Sequence, residues 1–272
     1  MQATSPQQLV RDGEKRAHAD ARHDRIFRGT LKFCALLVLA ALLGAALSTL
    51  WGGREVLFGQ GWHFLTSDAW NPVTNDYGAL SPIYGTLVTS LIAIVLSVPV
   101  SFGVAMFLTE IAPNWMRGPV GTAIELLAGI PSIIYGMWGL FVFVPFMSRI
   151  EPALSDSLGR IPLIGQLFQG PPLGLGLLTA GIVLAVMILP FITSVMREVF
   201  QTVPIRLKES AYALGSTRWE VLWDIVLPYT RSAVIGGIIL GLGRALGETM
   251  AVTFVLGNSY NITSSLLMPG TS

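Results

Sequence analysis

Arg244 and Glu248 are the two charges inside an otherwise apolar, glycine-rich run, residues 231–257, that is long enough to cross a bilayer. A charge at the centre of a membrane helix costs ~2.5–3.5 kcal/mol on insertion scales, so two in one run need a reason. Four positions apart on a helix, they fall about one turn apart on one face and can neutralise each other. A guanidinium offers a planar fork of donors that matches phosphate or carboxylate. The chemistry expected is therefore recognition of an oxyanion on a membrane path. Arg244 would contact the anion, and Glu248 would neutralise Arg244 in the empty site and repel a second anion. A purely structural ion pair is the competing reading. On a helical wheel Gly237 and Gly241 share the charged face, while Ile235, Ile238, Leu242 and Leu246 crowd the opposite one, so another helix can approach the thin face closely. The hydroxyls of Thr249 and Thr253 lie toward the other side.

A second constellation precedes this run. Glu209-Ser-Ala211-Tyr-Ala-Leu-Gly215 is followed, nine residues on, by Ile225-Val-Leu227-Pro228. Local signals predict two short helices here, lying along the membrane surface. Pro204 suits a first turn, the body would cover 205–214, and Gly215 fits the left-handed residue that ends it. Thr217 with Glu220 makes a capping box for the second helix, which Pro228 is expected to stop before the next span. A plain amphipathic linker resting on headgroups is the alternative.

The elements that must carry these residues follow from composition. With 52% hydrophobic and 12% charged residues and a mean hydropathy of +0.64, the chain is a polytopic membrane protein. Windows of about 20 apolar residues predict five helical spans, at 31–51, 82–108, 119–146, 173–196 and 232–257. The fold class is therefore all-α. Residues 1–30 read as a mobile N-terminal tail, 31–51 as an uncleaved anchor, and 52–81 as an outer loop with Trp51, Trp62 and Trp70 at headgroup level. Pro99, Pro131 and Pro190 are expected to kink spans and to turn the freed carbonyls inward.

With the N-terminus inside, the inner segments hold Arg11, Lys15, Arg16, Arg22, Arg25, Arg28, Lys32, Arg117, Arg197, Arg206, Lys208, Arg218 and Arg231. The outer ones hold Arg54, Arg149 and Arg160. That asymmetry predicts a cytoplasmic N-terminus and places the connection 197–231 in the cytoplasm. One cysteine, Cys34, excludes an internal disulfide, and His18, His23 and His63 lack the spacing of metal ligands. No Gly-x-x-x-x-Gly-Lys-Ser/Thr loop is present, so nothing in the sequence suggests that this chain hydrolyses ATP.

The spacing from Glu209 through Ala211 and Gly215 to Ile225, Leu227 and Pro228 resembles the EAA loop of ABC importer permeases, with Ser210 where that family usually has alanine. Gly241-Leu-Gly-Arg-Ala-Leu-Gly-Glu-Thr-Met-Ala-Val-Thr-Phe-Val-Leu-Gly-Asn258 and Glu125-Leu-Leu-Ala-Gly-Ile-Pro-Ser-Ile-Ile-Tyr-Gly136 are similar to two spans of the PstC-type permeases of phosphate importers. These belong to the binding-protein-dependent inner-membrane components, CysTW-like subfamily. The likeness covers roughly residues 80–272. It implies a type I ABC importer transmembrane domain over 82–272, with a cytoplasmic coupling loop at 197–231 that docks on an ATPase, and inner-membrane localisation.

It also implies a subunit that is not itself an enzyme and passes phosphate inward. Arg244 and Glu248 would lie on the substrate path, and the chain would bind no cofactor of its own, ATP and magnesium sitting on the partner. The implied partners are two copies of the ATPase, a second homologous permease, an external phosphate-binding protein and membrane lipid, with no nucleic acid. Molybdate or sulfate permeation is the near alternative; an ion-coupled carrier or an intramembrane enzyme is the distant one. The family arrangement has six spans, so the five read here are expected to mark either a truncated chain or a five-span form.

Overall fold

The computed structural model describes residues 6–74, 76–161 and 165–272, and the side chains among them from residue 23 onward except at 57. The side chains of Arg11, Lys15, Arg16 and Arg22, on which part of the charge tally rests, and that of His18 lie outside the described residues. The chain divides into two compact units, Met1–Gly61 and Trp62–Ser272.

The first unit is dominated by one helix, α1 (Pro6–Gly52), followed by the short α2 (Arg54–Gln60). The sequence predicts a mobile tail up to residue 30; instead the helix runs without interruption from Pro6 into the apolar stretch. Its leader, residues 6–30, holds five Arg, three Ala and two Gln, all good helix formers, and propagation from an apolar helix already formed avoids the nucleation penalty. An i,i+4 pair supports it, with Arg28 donating to Asp24 at 3.0 Å.

The second unit is built on two packed helices. α4 (Leu80–Met106) carries small residues at every fourth position, Ser81, Gly85, Thr89, Ala93, Ser97, Ser101 and Ala105, and all are buried. That stripe lets the backbone of α8 (Leu177–Gln201) come close: a methyl group added at Gly181 of α8 would sit 2.6 Å from Ile92. Ser101 donates to the carbonyl of Leu189, the residue before Pro190, at 3.0 Å. α8 is the most buried of the long helices, with Leu184, Ile188, Ile192 and Met196 at its centre.

Between these two lie α5 (Asn114–Ala128), α6 (Ser132–Trp138) and α7 (Val144–Leu158). The predicted single span 119–146 is thus corrected to two helices broken at residues 129–131. Proline disfavours helical geometry in the residue before it, and Pro131, at φ −56° and ψ 135°, caps α6 instead of kinking a span. α6 then continues into α7 through a π turn at Gly139–Phe143.

The rest comprises α3 (Trp62–Thr66), a two-residue antiparallel pair, β1 (Trp70–Asn71) with β2 (Asp76–Tyr77), α9 (Ile205–Ala213), α10 (Arg218–Val221), α11 (Leu227–Leu246) and α12 (Met250–Leu256). The predicted loop 52–81 therefore carries regular structure of its own. Among the described residues, five helical stretches are long and apolar enough to cross a membrane: His23–Gly52, Leu80–Ile111, Ser132–Leu158, Leu177–Gln201 and Arg218–Leu246. After α12, the C-terminal segment folds back on the start of α8, where Leu178 donates its N–H to the Leu266 carbonyl at 2.8 Å.

Candidate functional site: two broken helices and a capped turn

Local chemistry builds the surface turn as expected. α9 ends one residue before the predicted limit, with Gly215 at φ +91°. The N–H of Ser216 bonds the Ala211 carbonyl at 3.1 Å and that of Gly215 bonds Tyr212 at 3.0 Å, a Schellman closure of the helix end. The capping box forms in both directions: Thr217 N–H donates to Glu220 Oε2 at 2.7 Å, and Glu220 N–H to Thr217 Oγ1 at 3.3 Å.

Within the 209–228 constellation, Glu209, Gly215 and Pro228 face solvent, whereas Ala211 is buried and Ile225 packs against the core. Leu227 is half-buried. Pro228 does not stop a helix. α10 runs through a π turn, Leu222–Val226, directly into α11, and Pro228 falls in the first turn after it, where a missing N–H is tolerated. The turn and the charged span are consequently one continuous rod, Arg218–Leu246.

Two ion pairs that sequence reasoning missed anchor this region. Lys208 of α9 donates to Glu110 at 2.5 Å; Glu110 lies in the π turn, Phe107–Ile111, that ends α4. Their side chains are 14% and 8% exposed, so the pair is largely desolvated. It lines a cavity of about 810 Å³ with Arg117, Glu209, Tyr212 and Arg218. Burial, with Glu110 nearby, raises the Tyr212 hydroxyl above the usual phenol range. Arg197 of α8 meets Glu125 of α5 at 2.8 Å. The partners are 98 and 72 positions apart, and no local pattern links them.

The predicted Arg244–Glu248 ion pair is not formed; among the described residues the ion pairs are Asp24–Arg28, Glu125–Arg197 and Glu110–Lys208. The one-face argument assumes a continuous helix over 232–257, but α11 ends at Leu246 and residues 247–249 are non-helical. Gly247 and Thr249 are weak helix formers, and Glu248 gains more as a cap: its Oε1 accepts the Ala251 N–H of α12 at 3.0 Å, where a carboxylate meets the positive end of the helix.

Arg244, in the last turn of α11, reaches the other way. Its guanidinium donates to the Ala128 carbonyl at 3.3 Å, at the C-terminal end of α5, and its charge lies 5.1 Å above the Phe191 ring of α8. The Tyr135 hydroxyl of α6 donates to the neighbouring carbonyl, Leu127, at 3.0 Å.

Close packing brings the two breaks together. The expectation that Gly237 and Gly241 form a thin face holds: methyls there would lie 3.0 Å from Val195 and 2.7 Å from Ile192 of α8. On the opposite side, Ile235 and Leu246 are exposed, while Ile238 and Leu242 are half-buried. Gly136 of α6 meets α12 backbone to backbone, its added methyl falling 2.8 Å from Ala251 Cα. The α5–α6 break and the α11–α12 break therefore face each other, with a guanidinium, a phenol and a carboxylate gathered between half-helix ends. Non-helical backbone within membrane spans is tolerated where it is buried in protein or lines a path, and half-helix ends are recurrent ion-recognition elements.

Residues 79–269 match the family described as binding-protein-dependent transport system inner membrane component. The chain is 68% identical over 254 residues to the phosphate transport system permease protein PstC of Xylella fastidiosa (strain 9a5c), covering 93% of this chain and 78% of that protein. It is 57% identical over 248 residues to the protein of the same name from Pasteurella multocida (strain Pm70), covering 91% and 78%. Among solved structures, a chain of the MetNI methionine ABC transporter in an inward-facing conformation aligns with a TM-score of 0.45 at 21% identity, over 62% of this chain and 68% of that one.

Proposed function

The chain belongs to the binding-protein-dependent transport system inner membrane components, and from that membership we propose that it is the permease subunit through which an ATP-driven importer moves inorganic phosphate across the cytoplasmic membrane. The observation that carries the reading is the pair of broken helices with Arg244 between them. An arginine held by one backbone carbonyl and an aromatic face is only partly satisfied, and a phosphate oxygen is a stronger acceptor than a carbonyl. Glu248 has its own partner on α12, so it leaves Arg244 free to exchange ligands while keeping a negative charge beside the path.

The reading sets the N-terminus and the 197–231 connection on the cytoplasmic side, consistent with the Lys/Arg asymmetry. Glu209, Ala211, Gly215, Ile225, Leu227 and Pro228 then form the turn that meets the ATPase. The solvent-facing Leu214, 88% exposed, and Trp219 offer it an apolar contact. Because α10 is continuous with α11, a push on the turn moves Arg244 as part of a rigid rod. ATP and magnesium reside on two copies of the ATPase, a second homologous permease completes the path, and an external binding protein delivers the anion.

The test is ATP-dependent uptake and phosphate-stimulated ATP hydrolysis by the complete importer in proteoliposomes, with sulfate and molybdate as controls. Stimulation by phosphate alone is expected. Preference for sulfate or molybdate would replace the substrate assignment, and uptake that follows a proton gradient without ATP would sink the importer reading.

A further inference from the structure

The run Glu125-Leu-Leu-Ala-Gly-Ile-Pro-Ser-Ile-Ile-Tyr-Gly136 supplies a donor that the proposed path has not used. Tyr135 sits one turn into α6, half-buried, and the hydrogen bond found for its hydroxyl goes to Leu127 O at 3.0 Å. The adjacent carbonyl, Ala128 O, takes Arg244. Two donors from different elements, α6 and α11, thus converge on the last two carbonyls of α5. A helix C-terminus carries about half a negative charge on such carbonyls, so these donors are seated on a weak, built-in anion. The convergence is enforced by packing, since Gly136, next to Tyr135, lies against the Ala251 backbone and Gly241, one turn before Arg244, lies against Ile192.

We infer that Tyr135 is a second anion-positioning residue, and that the C-terminal carbonyls of α5 hold Arg244 and Tyr135 in the resting state until the translocated oxyanion takes both donors. The inference rests on the phosphate reading above. Its physical basis is exchange of like for like: a guanidinium N–H and a phenolic O–H move from two neutral acceptors to one charged acceptor, where such bonds are about twice as strong. Both donors are tied to α5, so their exchange also frees that helix at its C-terminal end, while Glu125 keeps it attached to Arg197.

The experiment is Tyr135→Phe in the complete importer in proteoliposomes, scored as phosphate moved per ATP hydrolysed, with Arg244→Lys and the double variant alongside. Phe keeps the ring and removes only the hydroxyl. The expected result is a normal yield of assembled complex and about a fivefold fall in phosphate per ATP. The double variant should be little worse than Arg244→Lys alone, because both donors grip one anion. An unchanged ratio in Tyr135→Phe, or effects that multiply in the double variant, would overturn the inference. Failure of Tyr135→Phe to assemble would make the hydroxyl a structural tie and overturn it equally. A wild-type importer that moves no phosphate would instead refute the functional reading, independently of Tyr135.

Discussion

Replacing Lys208 with Met should loosen the surface turn more than any exposed charge change, because it strands the Glu110 carboxylate in a site that is 8% exposed. Breaking a buried ion pair by removing one partner costs about 3–5 kcal/mol in closed interiors. Here the cavity of about 810 Å³ beside the pair admits solvent that screens the orphaned charge, so the cost should fall toward ~2–3 kcal/mol. The pair joins α9 to the end of α4, so the loss should appear as local opening of α9 and not as global unfolding. That free energy corresponds to a ~30- to 150-fold rise in the opening equilibrium, read as faster hydrogen exchange of the α9 amides in the assembled complex. The cycle completes with Glu110→Gln and the double variant, which removes both charges and should recover most of the protection. Exchange within threefold of wild type in both single variants, or a double variant no better than the singles, would refute the claim that this pair holds the turn.

Other perturbations test separate contacts. Arg244→Gln should lower phosphate uptake by ~10- to 150-fold, the worth of a charge-assisted hydrogen bond, while the complex still assembles; loss of assembly would favour a purely structural role. Gly136→Ala should destabilise the unit by ~1–3 kcal/mol in detergent melts, because its methyl meets the Ala251 backbone, whereas Gly243→Ala, with open space around it, should be neutral; equal effects would contradict the close approach of α6 and α12. Gly215→Val forces a β-branched residue to φ +91° at ~1–3 kcal/mol and should reduce co-purification of the ATPase, with normal recovery counting against the docking assignment.

What was legible in the sequence was what short-range chemistry governs. Gly215 past the end of a helix and Thr217 three residues before Glu220 each act within one turn, so the closures they predict form as read. The thin glycine face of α11 was equally readable, because helical periodicity holds wherever the helix is unbroken. Arg244 and Glu248 were recognisable as expensive charges, but their geometry was not, since it depended on the helix continuing through residue 247.

The sequence alone therefore determined that this chain spans a membrane in helices, where its capped turn lies, and which charges demand an explanation, because hydropathy, capping and insertion cost are local sums along the chain. Tertiary structure decided that Arg244 and Glu248 turn apart to serve α5 and α12, that Lys208 finds Glu110 and Arg197 finds Glu125, and that Tyr135 meets the same helix end as Arg244. Those choices follow from competition among partners brought together by packing. A helix end that offers unsatisfied carbonyls or N–H groups outbids a neighbour one turn away, and only the fold places such ends within reach.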